Sequence, residues 1–215
     1  VPVGAQKADD AIGIIDQGMN HSQVMLLAHE MTDGLGPRLT NSPGMRRAEQ
    51  WAIDKFQGWG LSNVRRDGFE FGRGWEIVSV SARMTSPRPL TLTAIPIAWT
   101  PPTNGAISAP IIVERVTFPE KLDAFLKAEG ALAWVRQSYR DGMLVHGEGY
   151  NYRAGHTLGL PAIELAAEDY RRLARLAKSG PAPQLEIDSN VRFDDSDTKA
   201  YNIIADIPGT DPKAG

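Results

Sequence analysis

Apolar residues recur every three or four positions near the start of the chain and every second position further on. That change of period marks where helices give way to strands. Val24, Leu27, Ala28 and Met31 share one face of a helix expected from His21 to Thr32. Asn20 or Ser22 would cap it, because a short polar side chain accepts from the free amides of the first turn. Gly34 and Gly36-Pro37 would end it. A turn-rich stretch runs to Gly44, and a second helix is expected from Met45 to Gln57 with Ala48, Trp51, Ala52 and Phe56 inward.

Beyond Gly58 and Gly60 the pattern becomes that of strands. Val64–Phe71 is one candidate, and Trp75–Met84 alternates through Ile77, Val78, Val80 and Ala82. Leu90–Trp99 is another, with Pro96 demoting its end to a sheet edge. Ile107–Glu114 follows a break at residues 101–105. A helix is expected over Pro119–Glu129, then a short buried strand at Ala131–Val135 and an irregular glycine-rich stretch at Tyr139–His156. Leu160–Leu165 reads as a strand, Glu168–Lys178 as a basic amphipathic helix, and Gln184–Phe193 and Asn202–Ile207 as strands. The fold class that follows is mixed α/β, in the α+β sense.

Composition narrows the function classes. The 215 residues carry a net charge of −3, which argues against a dedicated nucleic-acid binder with its basic face. No run approaches the roughly 18 apolar residues of a membrane span. Cysteine is absent, so disulfides, thiolate zinc sites and cysteine nucleophiles are excluded. The chain opens on Val1 rather than Met, which fits a segment removed upstream.

Few residues suggest chemistry directly. The four histidines are His21, His29, His146 and His156. His29-Glu30 opens like the helical metalloprotease motif, but Asp33 stands where that motif needs its second histidine. The simpler reading of His29 is a cation at a helix C-terminus. His146, Glu148 and His156 share the glycine-rich stretch over residues 141–157, which reads either as a substrate gate or as a mobile polar loop. Asp194-Asp195-Ser196-Asp197 is similar to part of a calcium loop, but Lys199 stands where the EF-hand pattern requires glycine, so a solvated turn is the simpler reading. Arg171, Arg172, Arg175 and Lys178 form a basic face read as solvated, offset by Glu168 and Asp169. Trp75 and Trp99 read as core, whereas Trp59 between two glycines is placed to pack on a partner. No G-x-S-x-G, dinucleotide or phosphate-loop motif is present.

Five phrases in order carry a resemblance. They are residues 39–44 (Leu-Thr-Asn-Ser-Pro-Gly), 48–51, 60–64 (Gly-Leu-Ser-Asn-Val), 72–75 (Gly-Arg-Gly-Trp) and 201–210 (Tyr-Asn-Ile-Ile-Ala-Asp-Ile-Pro-Gly-Thr). Together they resemble the N-terminal part of the two-zinc exopeptidases that include secreted aminopeptidases and glutamate carboxypeptidase. Asn41 stands where that family usually has glycine. The middle of the chain, residues 102–183, resembles the protease-associated insert of such enzymes, flanked by peptidase-type parts at 1–101 and 184–215. A strand that such inserts carry is not evident near residues 117–124, which implies either a reduced insert or residues absent there.

The resemblance implies an incomplete peptidase-type sheet with N-terminal helices and a small α/β insert. It implies a fragment of a zinc-dependent, aminopeptidase- or carboxypeptidase-like exopeptidase, with two zinc ions in the intact parent, peptide substrates and export from the cell. The family's H-x-D ligand pair would follow the Ile207-Pro208-Gly209-Thr210 phrase, beyond Gly215. No catalytic residue, metal ligand or bound cofactor is therefore assigned to this chain, and its substrate-binding residues are unknown. The part present would frame substrate access beside the rest of the peptidase domain. The alternative is a non-catalytic protease-associated module that binds peptides or proteins.

Overall fold

The computed structural model describes residues 3–110 and 119–209. The chain is mixed α+β, as the change of period implies. Two helices open it, α1 (Val3–Asn20) and α2 (Val24–His29), and α2 runs on as a π-helical turn, Glu30–Leu35. Helix α1 lies outside the elements expected from the pattern, although Ile12, Ile15 and Met19 carry helical spacing. Within α1, residues 10–20 are exposed, so no tertiary face sharpens the pattern. The expected inward face of α2 is half-buried at Leu27 and Ala28, and Val24 is exposed. Gln23 rather than Asn20 or Ser22 takes the N-cap position, and it makes no side-chain cap bond.

Helix α3 (Pro43–Gly58) begins two residues earlier than expected. Ser42 caps it by accepting from the Met45 amide at 3.1 Å, and Pro43 suits the first turn because its missing N–H would be unpaired there anyway. Its four expected inward residues are half-buried, and its deepest side chain is Glu49, 2% exposed.

Strand β1 (Ser62–Glu70) pairs antiparallel with the last strand, β9 (Lys199–Asp206), so that Ser62 faces Asp206 and Glu70 faces Lys199. The chain thus leaves the ribbon at Glu70 and returns beside it at Lys199. The described residues between form one body on two sheets.

The first sheet is antiparallel, in the order β3 (Leu90–Thr91), β2 (Gly74–Ser86), β8 (Gln184–Asp194), β5 (Ile107–Pro110). The expected alternation of β2 is broken by a register shift between Ile77 and Ser79, which is why apolar Ile77 and Val78 are adjacent and both exposed. The second sheet runs β4 (Ala94–Pro96), β7 (Ala162–Leu165), β6 (Trp134–Gln137), with β4 antiparallel to β7 and β6 parallel to it.

The single strand expected over Leu90–Trp99 is in fact two. The chain crosses from the first sheet to the second at Leu92-Thr93, where Leu92 N–H bonds Ala82 O at 2.9 Å and Thr93 N–H bonds the Asp169 carboxylate at 2.8 Å. Pro96 ends an edge strand, as a residue without a donor must. Strand β6 starts at Trp134, later than the expected Ala131, because Ala131 N–H is spent closing helix α4 (Pro119–Ala128) on Leu126 O. Residues 111–114 of the expected strand from Ile107 lie outside the described residues, as do 117 and 118.

Helix α5 (Ala167–Ser179) packs on the second sheet. Leu173 of α5, Ile163 and Leu165 of β7, and Ala82, Met84, Leu185 and Ile187 of the first sheet make one continuous core. A second cluster holds Trp75, Ala98, Trp99 and Val191, so Trp75 and Trp99 are core as expected, at 3% and 4% exposure. Trp59 is half exposed and packs at a tilt on Phe56, with ring centroids 6.0 Å apart. Among the described residues no helix is long and apolar enough to cross a membrane.

Candidate functional site

The glycine-rich stretch after β6 is a pinned strap, not a mobile loop. Two carboxylates from the β7–α5 segment hold it. Glu164 projects from β7, is fully buried, and receives Arg136 Nη2 and Nε on one oxygen at 2.6 and 2.9 Å. Its other oxygen accepts the His146 amide at 2.8 Å. Burial alone would raise the Glu164 pKa, but the His146 amide and the Arg136 guanidinium together outweigh it and hold the carboxyl below its ordinary value. Glu168, in the first turn of α5, accepts the amides of Gly142 at 2.6 Å and Met143 at 3.3 Å. The Gly142 amide is the main reason its pKa is lowered.

The strap then lies against β4 and the residues after it. Ala98 N–H bonds Gly147 O at 2.7 Å, and Arg136 Nη2 bonds Glu148 O at 2.9 Å. Glycine is required at two places. Gly147 has φ of +62°, and a Cβ there would sit 2.6 Å from Pro96 O. A Cβ on Gly149 would overlap the Ala98 carbonyl. The outer side of the strap exposes Tyr139, Met143, Leu144 and Tyr150.

His146 stands closest to a catalytic constellation, with Ser138 Oγ at 3.4 Å and Glu164 Oε1 at 3.5 Å. Both partners, however, approach the same ring nitrogen, Nδ1. A nucleophilic triad needs the hydroxyl on one ring nitrogen and the carboxylate on the other. Ser138 is fully buried, and Tyr139 stacks on the imidazole at 4.3 Å between ring centroids. The cluster therefore fixes the strap rather than activating a nucleophile. His156 closes a backbone turn on Arg153 O at 3.1 Å.

The metal candidates do not assemble. His29 Nδ1 meets Asp33 at 2.7 Å on an exposed surface. Glu30 is engaged elsewhere, by Lys55 at 2.7 Å and Trp51 Nε1 at 2.7 Å, and the Lys55 bond is the main reason its pKa is lowered. Among the described residues no three histidine, aspartate or glutamate side chains converge to hold a metal ion. The described residues therefore do not fit a zinc site.

The aspartate run 194–197 is a turn whose carboxylates are all used. Asp194 caps Ser196, at 3.0 Å to its amide and 2.6 Å to its hydroxyl. Asp195 takes a bidentate pair from Arg73 at 2.7 Å. Asp197 accepts the Lys199 amide at 2.9 Å and the Tyr201 hydroxyl at 3.0 Å.

That turn is part of a neck that sequence reading missed. Asn41, only 3% exposed, has φ of +60°, a conformation that glycine takes freely and asparagine tolerates. Its amide nitrogen donates at 2.7 Å to Gly72 O, where the chain enters the body between β1 and β9, and at 2.7 Å to Asp197 O, where it leaves. Arg46 completes the neck by donating to Asn41 Oδ1, Glu49 and Lys199 O, the last at 2.6 Å. Arg66 Nε lies 3.6 Å from the buried Glu49. The one signal that pointed here was the Asn41 departure from glycine.

No known sequence family's profile matches the chain, and no curated protein does. Solved structures do. Over 91% of this chain it superposes with a TM-score of 0.65 on the peptidase M28 precursor from Shewanella amazonensis, at 19% identity. Over 82% it superposes with a TM-score of 0.53 on BSAP, a zinc aminopeptidase from Bacillus subtilis, at 12% identity. At such identities the likeness is one of fold. The chain spans about half the length of these neighbours, 53% and 44%.

Proposed function

We propose that this chain is the access-framing portion of a zinc-dependent exopeptidase that trims peptides. The observation that carries the reading is the superposition of 91% of the chain on a single M28 peptidase precursor. The ordered phrases of the sequence point the same way, independently of the fold. In this reading the ribbon β1–β9 and helices α1 to α3 belong to the peptidase domain. The two zinc ions of the parent enzyme sit on residues other than those described, and they supply Lewis-acid chemistry there. This chain contributes no catalytic step. Its own work is to hold the pinned strap and its exposed aromatic side chains as a rigid wall beside the cleft. An exported location goes with the same reading.

The insert has wider edges in this proposal than residues 102–183. Two facts support a body running from Phe71 to Thr198: Glu70 stands opposite Lys199, and β2 pairs along its length with β8. A second reading, a peptide- or protein-binding module without catalysis, draws support from the two core clusters that lie within this body. Intact mass and zinc content of the protein from its natural source separate the two. A chain well above 23.4 kDa carrying zinc fits the peptidase, and one of 23.4 kDa without zinc fits the module.

A further inference from the structure

The basic face of α5 is not uniform. Arg171 pairs with the exposed Asp141, and Arg172 Nη1 bonds Asp169 at 3.0 Å. The side chain of Asp169 is only 4% exposed, and its second oxygen takes the Thr93 amide. Arg175 is exposed and, among the described residues, makes no ion pair. It lies across a groove from Arg88, in the turn between β2 and β3, which is likewise exposed and unpaired among the described residues.

The groove has a volume of about 290 Å³, its accessible apolar lining is Pro87 and Leu176 over the buried Met84, and Arg88, Arg172 and Arg175 wall it. Ser179, at its end, spends its hydroxyl proton on Arg175 O at 2.9 Å. The groove thus offers guanidinium forks over an apolar floor, with no neutral donor among its side chains. In a chain of net charge −3, Arg88 and Arg175 converge here without an anionic counterpart among the described residues, whereas Arg172 already has Asp169.

We infer that this groove binds an acidic peptide segment, its carboxylate on Arg88 and Arg175 and an adjacent aliphatic side chain on Pro87 and Leu176. The guanidinium fork matches a carboxylate bidentately, and the apolar floor suits the neighbouring side chain of a polypeptide. A free inorganic anion would gain nothing from that floor. The groove lies on the body between β1 and β9, so this inference stands apart from the peptidase reading.

The test is fluorescence anisotropy with a labelled peptide of alternating Glu and Leu, beside its Gln–Leu counterpart. The protein should bind the acidic peptide saturably, and at least about tenfold more tightly than the neutral one, with affinity falling as salt rises. Arg88→Gln with Arg175→Gln should lose that preference while keeping the wild-type melting curve, since both side chains are exposed. Arg83→Gln, which removes a pair with Glu186 outside the groove, should bind like the parent. Absence of saturable binding overturns the inference. So does equal binding of the two peptides, or full binding by the double variant. Displacement by inorganic phosphate at concentrations matching the peptide would reassign the groove to simple anions and overturn it equally.

Discussion

Arg46 and Asn41 are joined side chain to side chain, and through that bond helix α3 grips both strands of the neck. Asn41 donates to Gly72 O and Asp197 O while accepting from Arg46. Asn41→Gly keeps the backbone conformation but deletes all three bonds. At about 1 kcal/mol for each net hydrogen bond, the loss is about 2–3 kcal/mol. Asn41→Ala deletes the same bonds and adds about 1 kcal/mol of left-handed strain. Urea denaturation should rank the wild type above the glycine variant and the glycine variant above alanine. Equal stability of glycine and asparagine would remove the neck from the account.

Glu164 and Arg136 stand directly opposite on parallel strands. Glu164→Ala leaves Arg136 unpaired and frees the His146 amide. Loss of one partner of a buried pair costs about 3–5 kcal/mol, and the partial exposure of Arg136 puts this case near 3 kcal/mol. Thermal unfolding measures it directly, and a cost under about 1 kcal/mol would show that the strap does not depend on this carboxylate.

The same carboxylate sets a pH dependence. Its folded pKa lies below the ordinary 4.5, so folding favours the ionised form. That contribution is complete above the ordinary carboxylate range and is lost as pH falls through 4.5 toward the folded value. Glu168, Asp194, Asp195 and Asp197 are shifted in the same direction. Stability should hold from neutrality to about pH 5 and fall below about pH 4. Glu164→Gln should be less stable at neutral pH and lose less on acidification. An unchanged acid slope in that variant would contradict the assignment.

Gly149→Ala and Gly147→Ala should each lift the strap from Ala98 and Pro96. Overpacking against backbone costs about 1–3 kcal/mol. Gly180→Ala, where a Cβ meets nothing, is the control. Limited proteolysis should cut the strap first in the two strap variants and leave the control as resistant as the wild type. Equal resistance throughout would mean that the strap is not held by this contact.

Sequence patterning revealed what depends on apolar spacing and little else. Helix α5 and strands β2 and β8 lie close to their expected bounds, because each buries one face against a core, and α3 does so with a half-buried apolar face and the Ser42 cap at its start. Helix α1 went unread because its described residues 10–20 bury no face, and Gly13 and Gly18 interrupt its pattern. The sheet crossing at Leu92-Thr93 depends on Asp169, which is distant in sequence, so no local signal announces it. The buried acids Glu49, Glu164 and Asp169 were invisible for a related reason. Periodicity marks apolar positions, whereas these carboxylates are buried because groups distant in sequence meet them: Arg66 lies 3.6 Å from Glu49, Arg136 and the His146 amide bond Glu164, and the Thr93 amide bonds Asp169, with Arg46 and Arg172 of their own helices completing Glu49 and Asp169. The strap read as mobile because its glycines suggest freedom, while in the fold they permit close contact with Pro96 and Ala98.

The most direct test of the central claim is the intact mass of the protein from its natural source, with zinc measured on the same sample. The account predicts a polypeptide well above the 23.4 kDa of these 215 residues, carrying zinc near two per chain. A mass of 23.4 kDa with no zinc would contradict it and leave a peptide-binding module in its place.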